Sequence, residues 1–200
     1  DAGMTWEGLG HIEDALARGK GVIVAMPHVG GFDWGGAWLA SMYDTTVVAE
    51  TLEPPELFSF FKQLRENFGM EVVGLGETAG TAIMRRLRTN GLVGLVCDRD
   101  IAGTGAEVEL FGYPTTIPAG PATIALRTGA TVLPAAAYFD DDGLHRGVIR
   151  PPLEVERKAG LKDDVQRITQ ALAHEFEHLI SLAPSQWHVL QANWPDLLSD

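Results

Sequence analysis

Val22-Ile23-Val24-Ala25-Met26-Pro27-His28-Val29-Gly30-Gly31-Phe32-Asp33 is the stretch that decides how this chain is read. A short apolar run stops at a proline, and a histidine follows at once. Runs like Val22–Met26 read as a strand buried on both faces of a parallel sheet. Phe32-Asp33-Trp34-Gly35-Gly36-Ala37-Trp38-Leu39 reads as the start of a helix. His28 therefore falls where strand gives way to helix, at the carboxyl edge of the sheet, where open α/β folds bind their ligands. Asp33 falls in the first helical turn, close enough to orient or charge-stabilise an imidazole. A base held by a carboxylate suits acyl transfer to a hydroxyl.

Outward from this junction, apolar runs alternate with helical patterns. Strands are expected at 22–26, 45–50, 70–73, 92–97, 106–111, 131–138 and 145–150, and helices at 32–43, 54–68, 79–89, 118–128 and 161–182. Such alternation means an α/β domain with a largely parallel sheet flanked by helices. The pair 131–138 and 145–150, joined through Asp140-Asp141-Asp142-Gly143, reads as a hairpin, which makes the sheet mixed. No repeat or long linker divides the chain, so residues 1–200 read as one domain. The first residue is Asp1 rather than methionine, which points to a missing N-terminal segment.

With 200 residues, 46% hydrophobic and 21% charged, the chain suits one full core. A net charge of −12 excludes a general nucleic-acid binder and works against electrostatic anchoring to an anionic membrane. Cys97 is the only cysteine, so no internal disulfide forms, and it ends an apolar run as a small buried residue should. No apolar run approaches the ~20 residues of a membrane-spanning helix.

Two more strand ends deliver polar groups to the edge that carries His28: Glu50, and Asp98-Arg99-Asp100. On the 54–68 helix, Leu57, Phe60, Phe61, Leu64 and Phe68 share one face. That stripe is expected to face the core, or to line an acyl channel extended by Phe58. Lys62 and Arg65 flank it. Arg85, Arg86 and Arg88 read as a solvated helix end or as a site for phosphates. His174-Glu175-Phe176-Glu177-His178 matches the zinc-protease pattern H-E-x-x-H. On the helical wheel, however, Val165, Ile168, Leu172, Phe176, Leu179 and Ile180 cluster opposite both histidines, which should therefore face solvent. No standard third ligand follows, although His188 and Asp196 lie beyond. No metal is expected. The nucleophile elbow G-x-S-x-G, the phosphate loop and the dinucleotide fingerprint are absent.

Pro27-His28 with Asp33 resembles the H-x-x-x-x-D motif of the glycerolipid acyltransferases. Met26 through Trp34 is similar to the branch that holds the lipid A and phosphatidylinositol mannoside acyltransferases, with Gly31-Phe32 where that branch usually has Asn-Trp before the acid. Cys97-Asp98-Arg99-Asp100, Gly105 through Pro114, Pro118 through Ala122, Thr128 through Pro134 and Trp187-His188-Val189-Leu190-Gln191 follow in the branch's order. The resemblance runs from about Gly21 to Trp194. It implies a glycerolipid acyltransferase-like fold. It implies transfer of a fatty acyl group from acyl-coenzyme A, as co-substrate and without a cofactor, to a mannose hydroxyl of a glycolipid. It also implies work at the inner membrane leaflet, on the cytoplasmic face of the plasma membrane, and a longer N-terminus.

His28 is then expected to act as general base. Asp33 is expected to fix its ring, or, as the resemblance implies, a glutamate near the Phe-Gly element, Glu107 or Glu109; the two glutamates share one strand face, and spacing does not choose between them. Backbone N–H groups around Gly30-Gly31, the following helix N-terminus or Arg99 stabilise the oxyanion. Glu50, Arg65, Asp98 and Arg99 are expected to hold the polar acceptor. An apolar arm formed by the Leu57–Phe68 helix and residues near Trp34 and Trp38 holds the acyl chain. The alternatives are a lipid A-type or lysophospholipid acceptor, a non-catalytic lipid-binding domain, and a zinc hydrolase built on His174 and His178.

Overall fold

The computed structural model describes residues 3–76, 78–140, 143–189 and 193–194. In chain order the elements are β1 (Met4–Glu7), α1 (Gly10–Ala17), β2 (Val22–Met26), α2 (Phe32–Met42), β3 (Thr45–Ala49), α3 (Pro55–Asn67), β4 (Glu71–Gly74) and α4 (Ala79–Arg88). Then come β5 (Leu92–Val96), β6 (Ala106–Leu110), β7 (Tyr113–Ile117), α5 (Gly120–Thr128), β8 (Thr131–Phe139), β9 (His145–Ile149), α6 (Leu161–Ser181) and a 3₁₀ turn, Pro184–Gln186.

Seven strands form one sheet in the order β1-β9-β8-β2-β5-β3-β4. Every neighbouring pair is parallel except β8 with β9. That exception is the hairpin read from sequence; Asp141 and Asp142 of its turn lie outside the described residues. β2 runs down the middle and is buried throughout. Its side chains alternate between two cores, as the twofold period of a strand requires. Val22, Val24 and Met26 meet Ile12 and Ala15 of α1 and Leu39 of α2 on one face. Ile23 and Ala25 join Ile83 and Leu87 of α4, Ala125 of α5, and Leu172 and Phe176 of α6 on the other. The sheet is thus covered on both faces, which is why its central strands read as continuous apolar runs rather than alternating ones.

β1, α1 and β7 were not legible in the sequence. β1 is a four-residue edge strand with only alternate residues shielded, and α1 has just two buried residues. The segment 106–111 is not part of the main sheet. β6 pairs antiparallel with β7 in a separate two-stranded sheet that rests on α6. Pro114 in β7 tolerates a position without a ladder donor because this small sheet is all edge.

The stripe on α3 is turned the other way from the core-facing reading. No residue of this helix is buried, and Leu57, Phe60, Leu64 and Phe68 are exposed. α3 lies beside β4 at the end of the sheet and packs inward through Phe58, which meets the small cluster of Ala49, Met70 and Val72. Arg65, bonded to Asp33, fixes the same inward side. The helical period is right; what it faces depends on where the sheet ends.

Candidate active site

The register between β2 and β5 builds the site. Met26 is paired with Val96, so the chain leaves the two strands side by side, and two residues further on His28 stands beside Asp98. Cys97 N–H donates to the Met26 carbonyl (2.9 Å) and continues the ladder one step past the strands. The His28 backbone N–H then donates to Asp98 Oδ2 (3.0 Å), and His28 Nδ1 bonds to Asp98 Oδ1. A second side chain, the Trp187 indole, also donates to Oδ2 (2.8 Å). Asp98 is fully buried, while the His28 side chain is 18% exposed and borders a cavity. With Nδ1 occupied, Nε2 is the ring nitrogen left for that cavity, and a carboxylate at Nδ1 fixes the tautomer in which Nε2 accepts a proton.

Burial is the largest influence on the Asp98 carboxyl and pushes its pKa up. The His28 ring, its charge, the Trp187 indole and the His28 backbone N–H together outweigh burial, so the group stays below the usual carboxylate range. Burial, reinforced by Asp98, raises the neighbouring Cys97 thiol far above its ordinary value, so it stays protonated. Cys97 is a buried neutral side chain, as its place at the end of an apolar run suggests.

The carboxylate on the imidazole is therefore Asp98, which sequence reading assigned to the acceptor, and not Asp33, Glu107 or Glu109. Asp33 instead receives Nε and the terminal Nη2 of Arg65, at 2.7 and 3.1 Å. It sits in the first turn of α2, but its side chain is engaged by α3. Glu107 and Glu109 are exposed on β6, and neither is among the residues lining the cavity. Their backbones are tied to α6 instead: the Glu107 carbonyl accepts from Gln166, and Glu109 exchanges bonds with Gln170 (2.8 and 2.9 Å).

The other expected residues do converge. Glu50, Arg65 and Arg99 line the same cavity as His28, which has a volume of about 570 Å³, within the usual range for ligand sites. Arg99 Nη2 donates to Glu50 (3.1 Å), and Arg99 Nε is buried without a partner among the described residues. Asp100 is spent on its own loop, accepting from the N–H groups of Thr104 (3.2 Å) and Gly105 (2.8 Å). The apolar wall is not where it was expected. Of α3 only Arg65 reaches the cavity, and neither Trp34 nor Trp38 does. The lining comes from Val47, Met70, Leu75, Ile83, Leu95 and Ile124, on β3, α4, β5, α5 and the segments beside β4.

The expectation that the N–H groups of Gly30 and Gly31 are free for an oxyanion also fails. Gly30 donates to the Gln186 carbonyl (2.9 Å) and Gly31 to that of Ala137 (2.8 Å). Gly30 has φ +55, and a Cβ there would meet the Ala137 carbonyl at 2.3 Å, so this glycine serves a tight turn packed against β8. The first N–H groups of α2, which has no side-chain cap, and Arg99 remain as donors.

His174 and His178 are exposed, as the helical wheel indicates. Glu175 pairs with Arg150 (2.7 Å) and Glu177 accepts the Phe111 N–H (2.6 Å). Asp196 lies outside the described residues, as do Leu190 and Gln191. Trp187, which donates to Asp98, is the site residue that sequence reading missed. Its motif was visible, but nothing in a linear sequence says which carboxylate an indole N–H will find. No helix among the described residues is long and apolar enough to cross a membrane.

Residues 1–195 match the model of the bacterial lipid A biosynthesis acyltransferases. The chain is 42% identical over 197 residues to a phosphatidylinositol mannoside acyltransferase of Mycobacterium tuberculosis (strain ATCC 25618 / H37Rv), an alignment covering 96% of this chain and 60% of that protein. It is 39% identical over 194 residues to a phosphatidylinositol mannoside acyltransferase of Mycolicibacterium smegmatis, covering 95% and 62%. The chain spans about six-tenths of the length of these curated relatives. The histidine at the end of β2 and the ordered motifs that follow it have a common explanation: this chain belongs to the bacterial lipid A biosynthesis acyltransferase family.

Proposed function

We propose that this protein moves a fatty acyl group from acyl-coenzyme A to a mannose hydroxyl of a phosphatidylinositol mannoside, with His28 as general base. The names of the two mycobacterial relatives support the acceptor class. The observation that carries the chemistry is the His28–Asp98 pair beside a cavity with apolar walls and a polar rim. The acyl chain occupies the apolar part, among Leu75, Ile83 and Ile124. The acceptor sits toward Glu50, Arg65 and Arg99. His28 Nε2 takes the proton of the sugar hydroxyl as its oxygen attacks the thioester carbonyl. Asp98 stabilises the imidazolium that forms. The tetrahedral oxyanion draws on Arg99 or the first N–H groups of α2. Collapse breaks the carbon–sulfur bond, and the proton passes from His28 to the departing thiolate. The exposed apolar residues of α3, with the rim residue Arg65 on the same helix, support peripheral contact with the inner membrane leaflet, which supplies the acceptor.

His28→Ala tests the reading. Transfer from palmitoyl-coenzyme A to a mannosylated phosphatidylinositol should fall by about 10²–10⁴-fold, the usual cost of losing a general base, while circular dichroism and thermal unfolding stay near those of the parent. A folded His28→Ala protein with near-normal turnover overturns the mechanism. Acyl-chain binding with no turnover in either protein would make it a lipid-binding domain.

A further inference from the structure

The C-terminal segment runs back across the site. Trp187 forms an isolated antiparallel bridge with Val29, the residue after His28. The His188 N–H donates to the His28 carbonyl (2.7 Å), and the Gln186 carbonyl accepts from Gly30 (2.9 Å). The Gln186 side chain is tied to the Phe139 backbone at both ends, each bond 2.8 Å. This strap fixes where the Trp187 indole points. Its ring packs against Phe111 and Trp194, with centroids 6.0 Å away in each case, and its N–H reaches Asp98 Oδ2 at 2.8 Å.

We propose that Trp187 is a positioning residue for the acyl transfer: its indole N–H, with the His28 backbone N–H, holds Asp98 Oδ2 so that Oδ1 stays aligned with the imidazole. This rests on the reading of His28 as base. The argument follows from the division of labour at the carboxylate. Asp98 is fully buried, so water does not supply donors to it. Oδ1 serves the imidazole, and Oδ2 carries the two fixed donors. Rotation of the carboxylate would break both at once. One of them belongs to the backbone beside His28 itself; the other comes from 89 residues away and is set by the strap. Among the described residues the C-terminal segment reaches Asp98 twice, through Asn193 to its carbonyl (3.3 Å) and through the indole to its carboxylate, and the indole is the contact that bears on the orientation of the base. A bond that holds the carboxylate in place as imidazolium forms affects turnover more than substrate capture.

Trp187→Phe keeps an aromatic ring against Phe111 and Trp194 and removes the N–H. The expected result is a folded protein whose kcat falls about 10–100-fold, the scale of one lost hydrogen bond to a buried charge, with KM for acyl donor and acceptor nearly unchanged. An unchanged kcat, or a loss expressed in KM alone, overturns the proposal. A measurement on the intact protein stands beside it in case the variant does not fold. The Trp187 indole proton should exchange with solvent far more slowly than that of exposed Trp34, and Asp98→Asn should shift its resonance. Exchange as fast as at Trp34 also overturns the proposal. The two readings fail separately: an active His28→Ala protein removes the base mechanism, whereas an inert His28→Ala beside a fully active Trp187→Phe removes only the role of the indole.

Discussion

Asp33 lines the cavity and Asp98 lies buried against the His28 ring; each carboxylate is engaged by a nitrogen side chain, yet they are physically unlike. Asp98 is fully buried at the centre of the sheet, takes three donors from two separate segments, and is held in the charged form against the cost of burial. Asp33 is 54% exposed at the rim and takes two donors from a single arginine. Asp33 is five residues from His28 in sequence and Asp98 is seventy away, and it is the distant one that touches the imidazole. Parallel strands in register bring their ends together whatever chain lies between them. A residue in the first turn of the following helix points wherever that helix's packing sends it. The centre of the sheet therefore supplies the carboxylate that orients the imidazole, and the rim supplies a clasp between α2 and α3.

Asp98→Asn should break the comparison most severely. An amide can present its N–H₂ to Nδ1 and leave Nε2 carrying the proton, the wrong form for a base, so turnover should fall by about 10²–10⁴-fold. The same substitution should change the acid response. A carboxyl held below its ordinary value contributes stability that is present above about pH 4 and is lost as pH falls through the folded-state pKa. Urea unfolding of parent and variant should therefore differ at pH 7 and converge toward pH 3. A gap that stays constant over that range would mean that folding does not shift the Asp98 pKa, and one that moves in favour of the parent as pH falls would mean that the carboxyl is neutral in the folded protein.

The rim pair should respond mildly. Arg65 Nε and Nη2 make a two-point contact with Asp33, but more than half of the Asp33 side chain is in water, so screening limits its worth. A double-mutant cycle on Asp33→Ala and Arg65→Ala should give a coupling of about 0.2–1 kcal/mol in stability. Asp33→Ala should lower turnover less than Asp98→Asn does, by letting α3 and the rim of the cavity loosen. If Asp33→Ala instead abolishes turnover while stability is untouched, the rim carboxylate acts in the chemistry itself, and the division between centre and rim is wrong.

Much of this architecture could be read from the sequence. The runs at Val22–Met26 and Leu92–Val96 are apolar because both faces of the sheet are covered, and the turn chemistry around Pro27 and Gly30 marks where strand becomes helix. That put His28, Glu50 and Arg99 at one edge, where the structure has them. What could not be read was lateral order. Nothing in either run says that β5 lies beside β2, or that Met26 pairs with Val96, and that pairing alone chooses Asp98 over Asp33 and the β6 glutamates. The outward rotation of α3 was hidden for a related reason. Leu57, Phe60 and Leu64 have the spacing of a buried stripe, but a helix beside the last strand of a sheet has protein on only one flank.

The smallest effect is expected at His174 and His178, where adjacency in sequence is again the misleading cue. Spaced i, i+4 with Glu175 between them, they read as a metal motif, but Leu172, Phe176, Leu179 and Ile180 occupy the buried side of α6 and turn both imidazoles into solvent. Glu175, the residue such a motif would use as base, is engaged by Arg150 from beyond the end of β9. Among the described residues the His174 ring is hydrogen-bonded only to Gln170 of its own helix, at 3.0 Å, a weak surface interaction. His174→Ala with His178→Ala should therefore shift unfolding free energy by no more than about 0.5 kcal/mol, as surface changes usually do, and leave acyl transfer unchanged, and a chelator should not inhibit the parent. Loss of turnover in that double variant, or inactivation of the parent by a chelator with recovery on adding zinc, would move the chemistry from the sheet edge to α6 and leave the buried His28–Asp98 pair a structural feature.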